Sequence, residues 1–174
     1  MLRSFQPMLL WWYIFLTGTA AQVRASSSTP CLSPGESYNI ALRWLQIFQT
    51  NENGTGTGSA IVASTLTSNF TYYDEGASFG NATAVYDSAG AVYNSVSGSG
   101  YSGSLVTNVT YSIIESFASC DTSVNSNVTV GTPISYRGTD YLKVDLESRL
   151  IYNVTSSSDL LNYYIQLGAV KQPS

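Results

Sequence analysis

The sequence predicts an α+β domain, with helices first and an antiparallel meander afterwards, and three observations predict it. Apolar residues recur at helical spacing as far as Val96. From Leu105 onward the period becomes two. The strand-like runs beyond that point are separated by segments short enough to be hairpin turns. Such an order is the pattern of helices covering one face of a sheet.

A length of 174 residues, 44% of them hydrophobic, suits one domain with a core of ordinary size. Only 10% of residues are charged. Ser, Thr, Gly and Asn carry the polarity instead, which is unusual for a cytosolic protein.

Arg3 is followed by the apolar run Met8 to Leu16 and then by small residues, with a cleavage point after Ala21 or Ala25. This is the shape of an export signal over residues 1–25, and the run is about half the roughly 20 residues a membrane anchor needs. The expected mature domain is therefore 26–174, secreted and free of the membrane. Loss of Arg3 and Arg24 leaves five basic side chains against eleven acids, a net charge of −6. Arg43, Arg137, Lys143, Arg149 and Lys171 are scattered, with no cluster to neutralise phosphates, so nucleic acid is not an expected partner.

Cys31 and Cys120 are an even pair in an oxidising compartment, where pairing is the default. Asn-x-Thr occurs at Asn53, Asn69, Asn81, Asn108, Asn127 and Asn153, each an acceptor for N-glycosylation in an exported chain.

Ser33-Pro34-Gly35-Glu36 joins an N-cap hydroxyl, a proline at the first helical position and an acid three residues after the cap. A helix is expected over Pro34 to Gln49, its core face formed by Ile40, Trp44, Ile47 and Phe48 beside Ala41 and Leu45. Asn51 to Ser59 reads as a loop, Ala60 to Leu66 as a short helix, and Asn69 to Phe79 as an irregular aromatic connection. Another helix is expected over Thr83 to Val96, and Ser97 to Ser104 is Gly/Ser-rich loop. In Leu105 to Phe117 the residues Leu105, Val109, Tyr111, Ile113 and Phe117 share one strand face. Strands follow at Val128 to Tyr136, Tyr141 to Leu146 and Leu150 to Val154, with turns at Arg137 to Asp140 and Glu147-Ser148. Asp159 caps a final helix, Leu160 to Leu167, which Gly168 ends.

The order of these elements, with Cys31-Leu32-Ser33-Pro34-Gly35-Glu36, Asn69-Phe70-Thr71-Tyr72-Tyr73-Asp74-Glu75-Gly76, Cys120, Arg137-Gly138-Thr139-Asp140 and Leu160 to Gly168, resembles the nuclear transport factor 2-like superfamily. Within it the chain resembles small secreted fungal members grouped with SnoaL-like domains. The resemblance implies a conical fold, in which a strongly curved sheet wraps the helices and leaves an apolar cavity open at one end. It implies hydro-lyase, isomerase or hydrolase chemistry, or binding alone, and it leaves open a homodimer through the outer sheet face.

No histidine occurs in the sequence, so a histidine base, a Ser-His-Asp or Cys-His arrangement and a histidine-bound metal are excluded. Gly54 to Gly58 and Ser97 to Gly103 lack a following lysine, which argues against a phosphate-binding loop. No cofactor or metal is expected. Tyrosine and carboxylate chemistry remains. In the ketosteroid-isomerase-like branch an Asp in the connection before the third helix is a proton-transfer base, and Asp74 occupies the matching place. There a first-helix tyrosine steadies the enolate, whereas the nearest match here is Trp44, a geometrically different donor. Asp74-Glu75-Gly76 also reads as an exposed turn. Trp44, Phe48, Tyr73, Phe79, Tyr86 and Tyr111 are the candidate lining of a pocket for a small apolar or aromatic ligand. The primary expectation is binding without catalysis; the alternatives are a Tyr/Asp-dependent isomerase or dehydratase, and an extracellular or cell-wall structural protein.

Overall fold

The computed structural model describes residues 30–78, 82–97, 106–132 and 134–171. The expected export signal, Phe79 and Asn81 lie outside these. Helix α1 spans Pro34–Ile47 and opens as its sequence dictates: Ser33 Oγ accepts from the Glu36 backbone N–H while the Glu36 carboxylate accepts from that of Ser33. Its buried face carries Ile40, Ala41, Trp44, Leu45 and Ile47. Helix α2 (Ser59–Ala63) leads into β1 (Leu66–Asp74), a one-turn helix α3 (Glu75–Ser78) and helix α4 (Ala89–Ser97). Then come β2 (Thr107–Ala118), β3 (Thr122–Thr132), β4 (Ser135–Val144), β5 (Ile151–Ser158) and helix α5 (Leu160–Gln166).

The strands form a five-stranded sheet in the order β1-β5-β4-β3-β2. β1 pairs with β5 in parallel and the other pairs are antiparallel. α1 lies against β2 and β3, and its apolar face meets Leu66, Phe70, Leu142, Val144, Ile151 and Val154 in the main core. The expected disulfide is present: Cys31 and Cys120 are bonded, and Leu32 N–H donates to the Cys120 carbonyl at 2.9 Å. The bridge ties the start of α1 to the β2–β3 turn. No helix among the described residues is long and apolar enough to cross a membrane.

Several expected elements are displaced. The connection at Asn69 to Phe79 is largely the strand β1, in which Phe70, Tyr72 and Asp74 face inward on alternate positions; its ladder partner is the distant β5. The helix expected from Thr83 starts at Ala89, because residues 85 and 86 are held in backbone hydrogen bonds to Tyr72. β3 begins at Thr122, six residues early, with Ser123, Asn125, Asn127 and Thr129 as its inward face. Arg137 to Asp140 is no turn but the middle of β4; the reversal lies at Gly131 to Ile134, where Gly131 N–H donates to the Ile134 carbonyl at 2.7 Å. In β2, Val109, Tyr111 and Ile113 share the inner face as expected. Ile114 follows on the outer face, 51% exposed, and a register shift between Ile113 and Glu115 then turns Phe117 outward as well, 63% exposed.

Candidate functional site

The register of the sheet builds the site, because residues opposite one another on neighbouring strands form rungs on its inner face. One rung runs Tyr72 on β1, Val154 on β5 and Leu142 on β4. The next is polar on every strand it crosses: Asp74, Ser156, Asp140 and Asn125 on β1, β5, β4 and β3. The following one places Ser158, Gly138 and Asn127 side by side, and beyond it Tyr136 faces Thr129. α1 lays Trp44, Leu45 and Phe48 over these rungs.

Between helix and sheet lies a half-enclosed cavity of about 140 Å³. Its aromatic walls are Trp44, Phe48, Tyr72, Tyr111 and Tyr136, and its polar floor is Asp74, Asp140, Asn127, Thr129 and Ser158. Gly138 leaves the middle of the floor open. A Cβ there would come no nearer than 3.5 Å to Ser158 Oγ and 3.6 Å to Asn127 Oδ1. The lining extends to Leu160, at the start of α5, whose N-cap Asp159 accepts from the Asn162 backbone N–H at 3.1 Å.

Asp140 is the central group. It is 6% exposed; its Oδ2 accepts from Asn127 Nδ2 at 2.8 Å and its Oδ1 from Ser156 Oγ. Burial pushes its carboxyl up to about 6 and the charge of Asp74 acts the same way, while hydrogen bonds from Ser156 and the Trp44 indole oppose them. A carboxyl poised there can both take and give a proton near neutral pH. Asp74 is held differently. Its Oδ1 accepts from the Gly76 backbone N–H at 2.8 Å, and its Oδ2 from Tyr72 Oη at 2.9 Å and Ser158 Oγ at 3.1 Å. Burial, then the charge of Asp74, keeps the Tyr72 phenol well above its ordinary value, so it stays a donor; burial raises Tyr136 as well.

Of the residues expected to line a pocket, Trp44, Phe48 and Tyr111 do so, and Asp74 joins them on the floor. Tyr73 points to the opposite side of β1, and its neighbour Tyr72 takes the place assigned to it. Tyr86 stands behind the wall, stacked on Tyr72 with ring centroids 5.7 Å apart. Asp140, Asn127 and Tyr136 were not among the expected lining. Asp140 alternates correctly with Leu142 and Val144, a signal hidden by its place in the turn-like Arg137-Gly138-Thr139-Asp140. Among the described residues no group of three His, Cys, Asp or Glu side chains could hold a metal ion.

Of the Asn-x-Thr sites, Asn53, Asn69 and Asn108 are exposed and Asn153 is half-buried, donating from Nδ2 to Thr71 Oγ1 at 2.9 Å. Asn127 is 4% exposed, with its Nδ2 committed to Asp140 and Asn125 inside the cone. A sugar on that nitrogen has no room in this fold.

A helix-lined curved sheet enclosing a cavity with carboxylates on its floor defines the class. The chain belongs to the NTF2-like family, whose domain model matches residues 30–170. No curated protein matches it in sequence. Among solved structures it is similar to PrhC from Penicillium brasilianum NBRC 6234, with a TM-score of 0.61 and 11% identity over 82% of this chain and 89% of that one. A candidate polyketide cyclase from Bacillus cereus ATCC 10987 gives 0.59 and 18% identity over 80% and 87%. A protein of ketosteroid isomerase-like fold from Catenulispora acidiphila DSM 44928, in complex with trimethylamine, gives 0.54 and 18% over 77% and 97%. At these identities the likeness concerns the fold.

Proposed function

We propose that the protein is exported, and that it binds a small organic molecule in the cone and moves a proton on it with Asp140. The observation that carries this reading is the placement of Asp140 on a buried polar rung at the floor of an aromatic-walled cavity. A proton taken by the carboxylate from one atom of the ligand and returned to another of the same molecule is an isomerisation. It leaves the protein unchanged and needs no co-reactant. Tyr136 supplies a donor at the cavity wall, in place of the first-helix tyrosine of the ketosteroid-isomerase-like branch, whereas the Tyr72 hydroxyl is given to Asp74 and the Trp44 indole to Asp140. Small organic ligands suit the cavity volume, and one structural neighbour holds trimethylamine. Export is supported by the charged and apolar pattern of residues 1–25, the disulfide and the Asn-x-Thr sites. The outer sheet face, with Phe117, Val130 and Tyr141 exposed, is the surface through which two copies would pair.

The test is hydrogen exchange in D₂O with a panel of cyclic and aromatic carbonyl compounds, read by mass spectrometry. Deuterium should enter a ligand C–H position with the native protein and fail to do so with Asp140→Asn. Exchange that persists in that variant would remove Asp140 from the role. The second reading is binding without chemistry, favoured by the several donors that already engage Asp140. Ligand retention with no exchange in either protein would establish it. An open, polar-floored cavity gives no support to a purely structural role.

A further inference from the structure

We infer that the cavity selects a small organic cation, an alkylammonium group seated between the aromatic walls and the two floor carboxyl groups. The inference rests on the cavity reading above and names the chemistry of its ligand.

Charge comes first. Asp74 and Asp140 both face the cavity, and no lysine or arginine lines it. The five basic side chains beyond residue 25 all lie elsewhere. Arg43 Nη2 donates to the Arg149 carbonyl at 3.3 Å, and Arg149 reaches Glu36 at 3.7 Å, near the start of α1. Arg137 and Lys143 are exposed on the outer face of β4, and Lys171 is exposed after α5. The acids of the floor are met by hydroxyl, amide and indole donors rather than by a protein cation. The net charge of −6 expected for the exported chain adds a long-range field of the same sign.

The walls then decide which cation. Five aromatic rings surround a small volume, and the negative faces of such rings attract a diffuse, weakly hydrated ammonium. A metal ion demands a tight set of several ligands, and no group of three suitable side chains converges among the described residues. A neutral apolar molecule would fill the walls but bring no counter-charge to the floor carboxyl groups, which hydrogen bonds alone now steady.

A cation in this seat also favours the ionised form of Asp140, so binding itself would prepare the base that the proposed chemistry uses. The groups facing Asp140 are Trp44 from α1, Asp74 and Tyr72 from β1, Asn125 and Asn127 from β3, Tyr136 from β4 and Ser156 from β5.

The decisive comparison is choline against 3,3-dimethylbutan-1-ol, its neutral isostere of the same shape, titrated calorimetrically into the full folded protein at neutral pH. Choline should bind at least ~10-fold more tightly, and Asp140→Asn should reduce that preference while leaving the alcohol nearly unchanged. Should that variant fail to fold, Tyr111→Leu reads the same preference through the wall. Choline should then weaken by ~2- to 30-fold, the range of a lost cation–π contact, and the alcohol by less. Equal binding of the two probes would overturn the cation while leaving the cavity and its proton chemistry standing. Binding of neither would overturn the inference too, and D₂O exchange on carbonyl ligands would then report separately on Asp140.

Discussion

Asp140 stores a pH dependence in the fold. Its carboxyl rises from an ordinary 3.8 to about 6 on folding, so folding favours its protonated form. Between those values the folded protein binds more protons than the unfolded one. Stability therefore falls as pH rises through that window, and above it the cost is constant at about 3 kcal/mol. Asp140→Asn removes the charge. Compared with the native protein, the variant should gain about 3 kcal/mol between pH values below 4 and pH 7, read from denaturation curves at each pH. A constant gap between the two proteins would show that folding does not raise the Asp140 carboxyl.

At the scale of the strand, Gly138 decides whether the floor is open. A methyl group added there meets Ser158 Oγ and Asn127 Oδ1 at ordinary contact distance, and the backbone does not adopt a positive φ. Gly138→Ala should therefore keep or slightly raise stability, within about 1 kcal/mol, because it restricts the unfolded chain. Occupying the middle of the floor, it should also weaken ligand retention at least ~10-fold. Unchanged retention would place the ligand elsewhere. Helices and strands differ in how far the sequence reveals them. α1 was legible because its cap box and its apolar stripe through Ile40, Trp44 and Ile47 are independent signals of one helix. β2 was legible as far as Ile113, where the register shift reverses the faces. The first half of β3 was not, because Ser123, Asn125, Asn127 and Thr129 make an inward face that no apolar periodicity can reveal. Arg137-Gly138-Thr139-Asp140 was misread for the same reason: a cavity needs a glycine and a carboxylate where a packed core would have leucine. In the aromatic pair Tyr72-Tyr73, assigning the wall to the second tyrosine was an error of strand parity, since adjacent side chains face opposite sides.

At the scale of the molecule the Cys31–Cys120 bridge closes a loop across 89 positions of sequence and fixes α1 to the sheet. Replacing both cysteines with serine should cost about 4 kcal/mol, or about 8–16 °C in thermal midpoint. A shift of a degree or two would mean that packing against β2 and β3 alone holds α1. Glycosylation belongs to this scale as well. Glycopeptide mapping of the protein expressed through a eukaryotic secretory pathway should find sugar at Asn53, Asn69 or Asn108 and none at Asn127, whose nitrogen is inside the cone. A glycan recovered at Asn127 from correctly folded protein would contradict the position of β3.

The parallel pairing of β1 with β5 sets an order of assembly. Asp74 is made early, yet its rung is joined to Asp140 only through Ser156 on the last strand. A nascent chain halted before Ile151 therefore has both acids but no continuous floor between them. Closure of the cavity floor therefore waits on the C-terminal strand.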